Sequence, residues 1–300
     1  MPISNPAITA RLAAIVLFAA ITPTILMTAP AVAAQLASQW QLSPARIGDL
    51  FSVELGAMSL ATLPAWWWLK RVDWRTAARV AALLFMAANL LSMLADTYAG
   101  LLVLRAASAP VLPGSRWKAA LGVGAVLAFY ISLGGVWTFI GALGASAGIS
   151  AQHGGEILAI ATVMGIAGAA SASLIGARLP RGVLLLLGYL LMAAAVLLLL
   201  GQPALLRFAL AALLFKFTWT FILPPILACL ADLDHSGKLM NASNLVIGGG
   251  LAIGPALAGR LIEASGGFSL LLLGAAAMTL LSLVMIVASR PHSPTELEPV

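Results

Sequence analysis

An all-α bundle of membrane-spanning helices is the fold class this sequence predicts, and three observations predict it. Hydrophobic residues make up 62% of the 300-residue chain and charged residues 9%, against about 25% charged in an ordinary soluble domain. Ten apolar stretches fill the chain almost end to end. The Lys and Arg clusters fall at alternate gaps between those stretches. A helix needs about 20 apolar residues to cross roughly 30 Å of hydrocarbon, and most of the stretches meet that length.

The first stretch, 11–36, follows Arg11 and contains Pro23 and Pro30. Ala29, Ala31, Ala33 and Ala34 offer small residues for signal-peptide cleavage. The apolar run is longer than a signal core, so an uncleaved span is expected. The second, 47–69, holds Glu54 and ends at Trp66, Trp67 and Trp68. The third, 77–96, carries Asn89 at mid-span, and 97–113 is short, holds Arg105 and ends in Pro110 and Pro113. Six further spans are read at 118–145, 155–177, 182–201, 205–231, 241–263 and 267–289. The lone Cys229 lies inside a span, so no disulfide framework is possible.

Charge sets the orientation. With the N-terminus in the cytoplasm and every stretch crossing, the cytoplasmic side holds Arg11, Lys70, Arg71, Arg75, Arg79, Arg116, Lys118, Arg178, Arg181, Lys238 and Arg290. The outer side holds Arg46, Arg207 and Arg260, while Arg105 and Lys216 stay within spans. That positive-inside excess disappears if 97–113 fails to cross, because the second half would invert. Both termini are therefore expected in the cytoplasm of a multi-pass protein of the cell (inner) membrane. Trp66–Trp68, Trp74 and Trp117 form a cytoplasmic aromatic belt and Trp40 lies outside; Trp137 and Trp219 are the exceptions, placed inside spans.

Small residues mark close helix contacts. Gly165, Gly168, Ala172 and Gly176 share a face of 155–177, and Gly250, Gly254 and Ala258 share one on 241–263. The order of motifs carries more. Gly176-Ala177-Arg178-Leu179-Pro180-Arg181 stands in a loop between spans, and Lys70-Arg71-Val72-Asp73-Trp74-Arg75 stands at the matching place in the first half. Gly250-Leu251-Ala252-Ile253-Gly254-Pro255, followed by Gly259, makes a Gly-Pro helix pattern.

In order, spacing and sidedness these motifs resemble those of a major facilitator superfamily transporter over about residues 10–105 and 115–290. The resemblance implies an N-terminal half at 1–114 and a six-helix C-terminal half at 115–300. It implies gating roles for Lys70, Arg71, Arg178 and Arg181, and helix packing by Gly250, Gly254 and Pro255. Two departures stand out. Lys70 and Ala177 occupy the places of the family's loop acid. The family usually has twelve spans and this chain has room for ten, with roughly the end of the fourth helix to the sixth missing. Ten spans in about 300 residues is also the layout of drug/metabolite exporters, but residues 1–150 do not match 151–300 as that family's two five-helix halves would.

No metal, nucleophile or phosphate-loop constellation is present. His153, His235 and His292 lie in loops or the tail, and Gly248-Gly249-Gly250 is inside a span rather than after a strand. The chain reads as a non-enzyme without a cofactor, a proton being the candidate coupling species. Its net charge of +6 comes from loop residues that set topology, not from a nucleic-acid surface.

The informative residues are charges inside spans, since a charge at mid-bilayer costs about 2.5–3.5 kcal/mol on insertion scales. Lys216 lies deep in 205–231, with Trp219 and Thr220 near one helix face. An anion or proton site and a lysine neutralised by Glu54 or by backbone carbonyls are both open readings. Arg105, Glu54 and Asn89 complete the candidate set. The expected function is secondary transport of a small solute, an organic anion or metabolite, by alternating access. The alternative is a non-transporting, transporter-derived scaffold or partner subunit. The missing helices lead us to expect a homo-oligomer, with Gly56, Ala57, Ser59 and Ala61 offering close contact.

Overall fold

A computed structural model describes residues 41–60, 117–176, 178–233 and 238–289, together with the isolated positions 29, 30, 32, 33 and 37. The expected spans 77–96 and 97–113, most of 11–36 and the end of 47–69 lie outside the described residues. So do Lys70, Arg71, Asn89 and Arg105.

The described elements are all helices. α1 is Pro44–Leu60, α2 Trp117–Ser146, α3 Ala151–Gly176, α4 Arg181–Leu197, α5 Leu205–Leu233, α6 Lys238–Ser265 and α7 Ser269–Ala288. Five of them contain segments long and apolar enough to cross a bilayer: Ala120–Ser146, Ala151–Gly176, Leu205–Leu233, Ser243–Ser265 and Ser269–Ala288. This is the build of a membrane helical bundle, whose backbone polar groups are satisfied within each helix.

Each C-terminal helix falls where an apolar stretch predicts it. The span expected at 182–201 ends early, as α4 at Leu197. Leu198, Leu199 and Leu200 are apolar but tighten into turns, and Gly201 then adopts φ +72°, a conformation that ends helical propagation. Pro203 two residues on removes another backbone donor.

Helices α2 to α7 divide into two triplets with a repeated contact plan. α2 packs along α6 and α7; α5 packs along α3 and α4; α4 meets α7. Exchanging α2 with α5, α3 with α6 and α4 with α7 maps these contacts onto themselves. The second triplet thus repeats the main contacts of the first. Glycines repeat as well. Gly250 and Gly254 on α6 lie against the backbone of Leu127 to Gly135 on α2, and Gly165 and Gly168 on α3 lie against Lys216 to Thr220 on α5. Gly176, expected on the same stripe, is exposed and touches nothing, because it sits in the last turn beyond the reach of α5.

α1 stands outside this plan. It packs along α6 through Gly48, Ser52 and Gly56, facing Pro255, Ala256 and Ala252. The Ala256 N–H donates to Ser52 Oγ at 2.9 Å. At the helix ends, Arg260 meets Asp49 at 2.6 Å. Gly56 is therefore committed within the chain rather than left open for self-association.

Polar side chains join the inner helices: Tyr189 and Ser282 hydroxyls at 2.8 Å, Ser132 and Thr279 at 3.1 Å, and Ser282 Oγ donating to the Ala125 carbonyl at 2.6 Å. Each bond of this kind is worth about 0.6 kcal/mol on average in a bilayer, so they set register more than stability.

A lysine in an aromatic box

The seam between α2 and α5, the leading helices of the two triplets, is packed by aromatic rings. Trp137 of α2 stacks on Phe215 of α5, centroids 6.0 Å apart and planes 9° from parallel. Trp219 stands nearly perpendicular to both Trp137 and Phe215, at 6.3 and 5.9 Å. Tyr130 closes the group edge-on to Trp219 at 6.4 Å. The spacing explains the grouping. Phe215 and Trp219 are one helical turn apart on α5, and Tyr130 and Trp137 two turns apart on α2.

Lys216 enters this group. Its side chain is buried, with 2% exposure. Nζ lies 4.1 Å from the centroid of the Trp137 ring and 4.3 Å from that of Trp219. A desolvated ammonium over an indole face gains about 2 kcal/mol or more. Two such faces offset the roughly 2.5–3.5 kcal/mol that a charge costs at mid-bilayer. Rings, not only a carboxylate, thus make a buried lysine tolerable here.

The neighbouring polar residues turn elsewhere. Thr220 Oγ1 donates to the Gly165 carbonyl and ties α5 to α3. Thr218 Oγ1 is buried with no hydrogen-bond partner among the described residues. Two residues along a helix is a turn of about 200°, so Thr218 leaves α5 on the side opposite Lys216. Pro224 and Pro225 lie in the next turns of α5 and have no N–H, leaving the carbonyls of Thr220 and Phe221 without their usual helical donors.

Of the candidates singled out in the sequence, Lys216 and Trp219 come together. Glu54 is half-buried in α1, next to Leu55, which reaches the main core. Arg105, Asn89, Lys70 and Arg71 lie outside the described residues. Arg178 is exposed after α3, and exposed Arg181 pairs with Asp232, linking the start of α4 to the end of α5. Gly250 and Gly254 pack on α2, and Pro255 faces α1. Sequence reasoning missed Phe215 and Tyr130. Trp137 left a signal, being one of the two tryptophans placed away from the aromatic belts; both of those hold the lysine.

No protein-family model matches this chain, and no curated protein matches it in sequence.

Proposed function

We propose that this chain is a secondary transporter of the facilitator type that moves a small organic anion, with Lys216 as its central charged group. The observation that carries the reading is the ammonium held between Trp137 and Trp219 at the seam of two similarly packed helix triplets. In transporters built from inverted repeats, substrates bind near mid-membrane where the repeats meet. An intramembrane charge is a functional group by default.

The contacts suit a mechanism in which this seam opens and closes. Lys216 and the rings share one seam, so parting α2 from α5 lifts Trp137 off Phe215 and off the ammonium. The freed ammonium then meets an anion or exchanges a proton. Closing the seam restores the ring contacts and expels the ligand. Exchange of π faces for an anion keeps the charge compensated in both states, so neither state is prohibitively high in energy.

The ten-span count, both termini in the cytoplasm, the inner-membrane location and gating by Lys70, Arg71, Arg178 and Arg181 belong to the same proposal. The motif order supports them, as does the charge excess at alternate loops. Arg181 bound to Asp232 suits a loop contact that breaks and reforms, since an exposed ion pair is worth only about 0–1 kcal/mol.

Flux in proteoliposomes, screened with organic anions, tests the function. Transport by the unmodified protein that is lost in Lys216→Ala, with insertion intact, supports it. Unchanged flux in Lys216→Ala would make the lysine structural. No flux of any anion by the unmodified protein would favour the scaffold reading.

A further inference from the structure

The aromatic box has a geometry that packing alone does not require. Trp137 of α2 is the ring that Phe215, Lys216 and Trp219 of α5 all meet. Phe215 lies nearly parallel to it, at 9° between planes, and Trp219 stands nearly perpendicular to both, at 89° and 82°. Lys216 brings its charge into the same group, with Nζ 4.1 Å from the Trp137 centroid. Leucines would fill that volume without the cost of carrying an ammonium into the bilayer. Parallel rings together with a buried cation suit a ligand that has both a ring and a negative charge.

Trp137 and Phe215 stand on opposite sides of the seam between α2 and α5. Parting near-parallel rings by one ring thickness, about 3.5–4 Å, leaves a slot with a π face on each wall. The centroids of Trp137, Phe215 and Trp219 lie 5.9–6.3 Å apart, so Trp219 walls the side of that slot. A flat aromatic ring fits there and regains ring contact in the offset and edge-on geometries that aromatic pairs prefer. A saturated ring is puckered and has no flat face to lie between the planes. The charge sets the other half of the ligand. An ammonium released from two indole faces needs a new partner, and a carboxylate supplies one through a charge-assisted hydrogen bond. Among the described residues Lys216 is the one charged side chain that is buried. A second negative charge on the ligand would meet no further buried cation among these residues, and its desolvation would stay uncompensated. Thr220 is turned to the Gly165 carbonyl and Thr218 leaves α5 on the side opposite Lys216, so a hydroxyl-rich ligand gains little here.

We infer that the opened box is a site for an aromatic monocarboxylate, with its ring between Trp137 and Phe215 and its carboxylate on Lys216 Nζ. Access to the site rests on the transport reading, since the rings part only when α2 and α5 move. Within the small organic anions this names one class: a single carboxylate, a flat ring and few further polar groups.

The test is calorimetric titration of the full chain in lipid nanodiscs, against empty nanodiscs, with four matched probes. Phenylacetate carries both ring and charge. Cyclohexylacetate lacks the flat ring, 2-phenylethanol lacks the charge, and phenylmalonate adds a second carboxylate. Phenylacetate should bind saturably and about tenfold or more tighter than each of the others, the factor expected from two ring contacts or one charged hydrogen bond. Lys216→Met should erase the preference over 2-phenylethanol, and Phe215→Leu the preference over cyclohexylacetate. Cyclohexylacetate as tight as phenylacetate, or no saturable binding of phenylacetate, would overturn the proposal. Should the substituted chains fold poorly, the four probes on the unmodified protein decide alone. Flux in proteoliposomes separates this proposal from the transport reading. Lys216-dependent flux of a non-aromatic anion, without phenylacetate binding, sinks the aromatic site and keeps the transporter. Saturable phenylacetate binding with that preference, but without flux, keeps the site and sinks the transporter.

Discussion

Two seams of this bundle solve opposite problems. Where α6 meets α1 and α2, glycines and alanines bring backbones into contact. The site of an added Cβ on Gly254 falls against the Ile131 carbonyl and the Gly135 nitrogen, and that on Gly48 against the Pro255 carbonyl. Where α2 meets α5, Trp137, Phe215, Trp219 and Tyr130 hold the helices apart and leave room for an ammonium. The difference teaches how one chain separates rigid contact from a place for chemistry. Backbone-to-backbone packing tolerates no insertion, whereas ring-to-ring packing has side chains that can move without breaking a helix.

Trp137→Ala tests the aromatic seam with the largest expected effect. It removes the partner of Phe215 and one face over Lys216. Thermal or denaturant unfolding in detergent should show a loss of about 3–5 kcal/mol, the range for large buried aromatics. A much smaller loss would mean the seam is loosely packed.

Gly254→Ala tests the other seam. One methyl group meets backbone atoms that cannot rotate away, so α2 and α6 must separate, at a cost of about 1–3 kcal/mol. The same substitution at Gly176, which touches nothing, should leave stability within about 0.5 kcal/mol of the original. Equal effects at the two positions would remove the distinction between the seams.

Lys216→Met gives the smallest change in stability. The cost of a charge at mid-bilayer and the gain from two indole faces are of similar size, so the net shift should stay within about 1 kcal/mol. The readout is the unfolding midpoint beside that of Trp137→Ala. A large loss would show that the lysine holds the seam together rather than being held by it.

The two seams were not equally legible. Local pattern is enough for the helices themselves: 118–145 and 241–263 correspond to Trp117–Ser146 and Lys238–Ser265, because each apolar run is bounded by charged, glycine or proline loops. The glycine seam was half visible, since Gly250 and Gly254 share a face, but their partner helices lie far away in the chain. Gly56 illustrates the limit: its small size signals a close contact, not which helix makes it. The lysine box was the least legible. Trp137 and Lys216 meet only because α2 and α5 lead two similarly packed triplets, a property of tertiary packing that hydropathy does not carry. Their local traces were Lys216 itself, a charge deep in its span, and a tryptophan placed inside each span.

The contact between α1 and α6 has a consequence for biosynthesis. Ser52 and Ala256 are separated by 204 residues. At translation rates of about 5–20 residues per second, roughly 10–40 s pass between the emergence of the two partners. Throughout that interval the small-residue flank of α1 has no α6 to lie on. Quality-control proteases and insertion chaperones therefore meet a nascent chain whose first half is still unlatched. A premature stop before α6 would leave it so permanently, and such products should be degraded faster than chains cut after α6.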